Sequence, residues 1–118
     1  MTIEETVVTV LQGRGAKVYP LRAPEDTPYP FIVYQFISTL PIRAHGESVM
    51  DRVRLQVSVW SKSYDQCVTI TQNVKAALNF NQTNFKLATR ENEFDTTDPE
   101  PGLYRKLLEF FIWHTEGV

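Results

Sequence analysis

The sequence predicts an α+β fold, a two-layer sandwich in which a mainly antiparallel sheet of about four to five strands carries two amphipathic helices on one face. Three observations lead there. The chain has 118 residues, 42% of them hydrophobic, which suits one core and leaves no room for a second, so residues 1–118 read as a single domain. Two segments, near residues 2–12 and 63–79, repeat apolar side chains at helical spacing. The remaining ordered stretches are short, alternate in polarity or run apolar, and are bounded by Pro, Gly and Asn, as strands are. Two helices with one apolar stripe each need one sheet face to cover.

The first helix places Ile3, Val7, Val10 and Leu11 on one stripe, with Thr2 and Glu5 spaced as a capping box and Gly13 as a left-handed stop. Pro20, Pro24, Pro28 and Pro30 follow, and each restrains its own φ and pushes its predecessor toward extended geometry. Only a short edge strand near residues 17–21 fits this stretch. Residues 31–38 are β-branched and aromatic on both alternating sets, which suits a strand covered on both faces or lying at a subunit contact.

Residues 39–49 contain Pro41 and Gly46 without a usable period and are expected to form a connection longer than a hairpin turn. Residues 50–60 alternate cleanly: Val53, Leu55, Val57 and Val59 on one side, Arg52, Arg54, Gln56 and Ser58 on the other. Ser61 and Ser63 are candidate caps for the second helix, with Tyr64, Cys67, Ile70 or Thr71, Val74, Ala77 and Leu78 as its buried stripe. A strand over about 85–94, a Pro- and acid-rich turn over 95–102 and a final strand over 103–114 complete the chain. That last strand sets Tyr104, Leu108, Phe110 and Ile112 against Arg105, Leu107, Glu109, Phe111 and Trp113.

Little in the sequence points to catalysis. A nucleophilic triad needs a His base oriented by a carboxylate, and the two histidines, His45 and His114, stand apart in the chain with no partner pattern. No enzyme activity, metal or cofactor is expected. Cys67 sits in the helix stripe, where a thiol behaves as a small hydrophobe. The acids Glu91, Glu93, Asp95, Asp98 and Glu100 lack the order of a calcium loop and read as a solvated strand end. Gly13-Arg14-Gly15 follows no strand and precedes no Gly-Lys-Ser, so it reads as helix termination and not as a phosphate loop. Twelve basic against fourteen acidic side chains give a net charge of −2, which argues against a phosphate backbone or an anionic membrane as default partner. The early acids break any signal-peptide pattern, so an intracellular chain is expected.

One anomaly is positive. The last strand turns Leu107, Phe111 and Trp113 away from the helix-covered face, and no third helix is available to cover them. Together with Arg52, Arg54 and Trp60 they outline an association surface. The alternative is that the first helix or the proline-rich segment folds over them. Arg52 and Arg54 with Trp60 also fit base stacking, though one basic pair on an acidic chain favours a protein contact or a solvated face.

Four segments, VYPLRAP (18–24), PYPFIVYQ (28–35), DRVRLQVSVWSKSYDQC (51–67) and DPEPGLYRKLLEFFIWH (98–114), occur in an order and spacing that resembles the tail-completion, or tail-terminator, proteins of long-tailed bacteriophages. Lys106, Leu107 and Phe111 depart from that family's pattern. The resemblance implies a structural role in the virion, with assembly in the host cytoplasm. Such proteins form a homo-oligomeric ring, a hexamer in the lambdoid terminators, on the last ring of the tail tube. They stop tube polymerisation and present the surface that joins the head. The implied partners are copies of the chain, the major tail tube protein and a head-tail neck protein. DNA passes through the lumen without specific binding, and no membrane is involved. A head-side connector, a tube subunit or a small non-viral binding module are the alternatives.

A ring needs two different patches on each subunit. The sheet face of Arg52, Arg54, Trp60, Leu107, Phe111 and Trp113 is the candidate for one. The 39–49 segment is the candidate for the other, through Ile42, Arg43 and His45, since eleven residues folded out and back reach about 18 Å at ~3.3 Å per residue.

Overall fold

The computed structural model describes residues 3–44, 47–82, 85, 87–97 and 103–114. The elements run α1 (Ile3–Leu11), β1 (Lys17–Pro20), β2 (Phe31–Ala44), β3 (Glu47–Ser61), α2 (Tyr64–Leu78), β4 (Leu87–Thr97) and β5 (Tyr104–His114). The five strands form one sheet in the order β1-β2-β3-β5-β4. β1 runs parallel to β2, and the other three pairings are antiparallel.

The α1 stripe is buried as its spacing requires, with Thr6 added to Ile3, Val7, Val10 and Leu11. Gly13 and Gly15 both have positive φ, and Arg14 turns back so that its Nε donates to the carbonyl of Val10 at 2.9 Å, which ends the helix as expected. Thr2, the other half of the expected capping box, lies outside the described residues.

Ser63 caps α2, its Oγ accepting from the Gln66 N–H at 3.4 Å. The Gln66 side chain is held by Ser61, whose Oγ donates to Gln66 Oε1 at 2.7 Å and accepts the Ser63 N–H at 3.1 Å. The two serines thus share the work that a capping box gives to one. Cys67, Ile70, Thr71, Val74 and Leu78 are buried, whereas Tyr64 is exposed and departs from the expected stripe. It sits in the first turn, with its ring edge-on to Tyr104 and its hydroxyl donating to Asp95 Oδ2 at 2.9 Å.

Both helices bury against one sheet face, around Ile32, Tyr34, Val53, Leu55, Val57, Val59, Leu108, Phe110 and Ile112. Cys67 belongs to this core; its Sγ donates to the Val59 carbonyl at 3.4 Å, and burial pushes the thiol's pKa up, so it is a packing group and not a reactive one.

The largest departure from expectation is the 39–49 segment, whose described residues, 39–44 and 47–49, are strand and not loop. β2 continues to Ala44 and β3 begins at Glu47, paired from Phe31↔Trp60 out to Ala44↔Glu47 with irregularities at 36/38 and 42/43. Pro41 is tolerated because β1 ends opposite Tyr34, leaving β2 an edge strand where a missing N–H breaks no ladder on the open side. β5 ends opposite Asp51. Beyond the Pro41–Asp51 pair the hairpin therefore leaves the sheet as a two-stranded arm, roughly 10 Å from Pro41 to Ala44 at ~3.3 Å per residue. The arm accounts for the shape: extents of 53 × 25 × 23 Å and a radius of gyration of 15.0 Å, against about 13.5 Å for a compact chain of this length. β4 likewise runs further than expected, through Asp95 to Thr97; residues 98–102 lie outside the described residues.

Candidate functional site

Alternation along β3 and β5 sends Arg52, Arg54, Gln56, Ser58 and Trp60 to the helix-free face, opposite Trp113, Phe111, Glu109, Leu107 and Arg105 respectively. All six sheet residues singled out from the sequence share that face. They form two groups with a buried residue between them.

The group nearer the arm is built on Phe111 and Trp113, whose rings meet edge-to-face at 6.2 Å. The Arg52 guanidinium lies 4.6 Å from the Phe111 ring centroid, within cation–π range. Arg54 donates through Nε at 3.0 Å and Nη2 at 2.6 Å to Glu109 Oε2. Leu40, more than half exposed, stands opposite Arg52, and Ile42 stands opposite Met50. Phe111 and Trp113 are half-buried and carry no covering element among the described residues. Apolar side chains thus flank Arg52 on both neighbouring strands, and Ile42 follows Leu40 onto the arm. Ile42 and the exposed Arg43 lie on the arm itself, and His45 lies outside the described residues.

At the other end the face is covered in part. The segment between β1 and β2 folds back across it and encloses a cleft of about 510 Å³ between Leu21–Thr27, Tyr29, Phe31, Val33, Gln35, Gln56, Ser58, Trp60 and Arg105. Its floor is an aromatic stack: Tyr29 on Phe31 at 5.1 Å, Phe31 on Trp60 at 5.8 Å, and the Arg105 guanidinium 4.7 Å from the Trp60 centroid. Arg105 Nη2 also donates to Ser58 Oγ at 3.3 Å. The proline-rich segment therefore covers the Trp60 end, and the cleft stops short of Phe111 and Trp113.

Leu107 departs from its expected role. It occupies the anticipated face but is only 6% exposed, flanked across the strands by Ser58 and Phe94, so its side chain packs within the subunit and offers a partner little. Sequence reading missed Tyr29, Phe31, Leu21 and Arg105 as site residues. The signal was present in the four aromatics and prolines of residues 28–31, but which way Phe31 points depends on its pairing with Trp60, and register is not visible in one strand alone.

On the helix side, the Lys106 ammonium bonds Asp95 Oδ1 at 2.6 Å and lies 3.8 Å from Glu93, which also pairs with Lys75 at 2.9 Å and Arg90 at 3.1 Å. The Lys106 and Tyr64 hydrogen bonds hold the Asp95 carboxyl below the usual carboxylate range, and Asp95 in turn raises Lys106. This network ties α2 to β4 and β5. Among the described residues no group of three or more His, Cys, Asp or Glu side chains could hold a metal ion. No helix is long and apolar enough to cross a membrane.

Comparison with known proteins agrees with this architecture. The sequence model of the family described as "Tail completion protein gp17" matches residues 3–115. Among solved structures, a chain of the virion of a native gene transfer agent particle superposes with a TM-score of 0.67 at 10% identity, covering 91% of this chain and 82% of that one. At that identity the likeness shows the fold alone. No curated protein matches.

Proposed function

The chain belongs to the tail completion protein gp17 family, structural proteins of the phage tail, and on that premise we propose that it caps the head-proximal end of the tail tube as a ring, a hexamer, ending tube growth and presenting the surface to which the head's neck protein attaches. The observation that carries this reading is the set of apolar side chains flanking Arg52, with Phe111 and Trp113 on one side and Leu40 on the other with Ile42 beyond it, which runs from an uncovered half of the sheet onto a projecting arm. A ring subunit needs two dissimilar contact patches, and an open half-face with an arm beside it supplies them. Standard contacts of ~800 Å² per partner on two sides would use about a fifth of the 7165 Å² surface. The mechanism is docking, with no bond made or broken. The net charge of −2 suits a lumen that DNA traverses without adhering.

The test is tail assembly with and without the protein. Tails made in its absence should overrun their normal length or fail to join filled heads, and purified protein added back should restore both. Normal tails that join heads without it would overturn the reading. Purified protein that polymerises by itself into long tubes would assign it to the tube instead.

A further inference from the structure

The arm and the cleft lie on the same molecule but at opposite ends of the sheet. Phe31, on the cleft floor, and Ile42, on the arm, belong to one strand and are eleven residues apart, about 36 Å of extended chain. A chain cannot place its own arm in its own cleft. A second copy can.

We propose that the cleft between the 21–30 segment and the aromatic floor receives the β2–β3 arm of a neighbouring copy, with Ile42 set against Phe31 and Trp60 and Arg43 against Glu25 and Asp26. The inference rests on the ring reading and specifies its subunit contact. Charge gives the first argument. Arg43 is exposed and makes no ion pair among the described residues, while the cleft is lined by Glu25 and Asp26 with the cations Arg22 and Arg105, the latter set on the Trp60 ring and bonded to Ser58. Neither acid has an ion pair among the described residues.

Local backbone gives the second. Leu21 and Asp26, both lining the cleft, hold φ of 63° and 61°, in the left-handed region that side chains other than Gly, Asn and Asp rarely occupy. Leu21 is also 71% exposed. An apolar side chain held in a costly conformation and turned to water at the rim of an aromatic pocket is stabilised once an arm covers it. The volume, about 510 Å³, is of the size that accepts a few side chains of a strand tip.

The contact is heterologous: each copy gives an arm and receives one, so the chain of contacts closes into a ring if the rotation permits.

The test is a directed disulfide. Protein carrying Arg43→Cys is mixed with protein carrying Glu25→Cys under mild oxidation; both sites are exposed, and the native Cys67 is buried and does not compete. The expected result is a covalent heterodimer in the mixture, and in the double variant a ladder ending at the ring number, because a disulfide forms only with Cα atoms within about 7 Å. Rings seen by light scattering without this cross-link, or Arg43→Cys linking only to itself, overturn the arm-and-cleft contact and leave the ring reading standing. Wild-type protein that stays monomeric at every concentration and on tail tubes overturns both. A charge test runs beside it. Arg43→Glu should weaken association by about tenfold or more, and Glu25→Lys on the same chain should restore much of it; no recovery argues against the contact.

Discussion

Phe110, Trp113 and Asp95 lie within two adjacent strands yet have separable physical roles. Phe110 is fully buried in the core on the helix-covered face, so Phe110→Ala should cost about 3–5 kcal/mol through lost burial and the cavity left behind, read as a lower urea midpoint. Trp113 and Phe111 are half-buried on the helix-free face. Trp113→Ala or Phe111→Asp should reduce ring formation by light scattering far more than it lowers that midpoint, and unchanged assembly in both would remove this face from the interface. Asp95 is a pH probe. Its carboxyl is held below the usual range by Lys106 and Tyr64, so the ionised form stabilises the fold at neutral pH and the gain disappears as pH falls through the folded-state pKa. The stability gap between wild type and Asp95→Asn should therefore shrink as pH falls below the ordinary carboxylate range. A gap constant with pH would mean that the ion pair contributes nothing. Asp95 is exposed, so the effect should also weaken in high salt.

Helices and central strands could be read from periodicity because burial imposed it. α1 and α2 fall within a residue or two of the expected spans, and β3 shows the alternation its two unlike faces demand. The arm could not be read that way. Its residues Ile42 and Arg43 lie outside the helix-covered core, so nothing selects an apolar period there, and Pro41 reads locally as a breaker until the open edge of β2 is known. The same reason hid the cleft, since Phe31 and Trp60 meet through a register set by partners far apart in sequence. Leu107 was placed on the correct face and given the wrong exposure, because cross-strand neighbours can bury a side chain without any covering element. Deletion of residues 41–47 should leave a cooperatively folded subunit, since the described side chains of the arm add nothing to the main core, that no longer caps tubes. Retained capping would show the arm to be dispensable. Ser63→Ala, by contrast, should cost about 0.5–2 kcal/mol through the lost cap of α2 and leave assembly intact.

At the scale of the whole molecule, a 53 Å long subunit with its covered cleft at one end and its arm at the other is polar in the geometric sense, and polarity is what head-to-tail contacts need. Mass measurement across a dilution series should show one discrete oligomer and free subunit, because closure leaves no exposed arm or cleft; a continuous distribution of sizes would indicate open filaments. The strand order carries one more consequence. β5, last of the five strands among the described residues, lies between β3 and β4 in the interior of the sheet. While the ribosome still holds that strand, the emerging polypeptide lacks the partner of both neighbours, and Phe110, at the heart of the core, is absent. Folding of the sheet must therefore await the emergence of β5, and a nascent chain on a polysome cannot dock onto its siblings before that strand has left the ribosome.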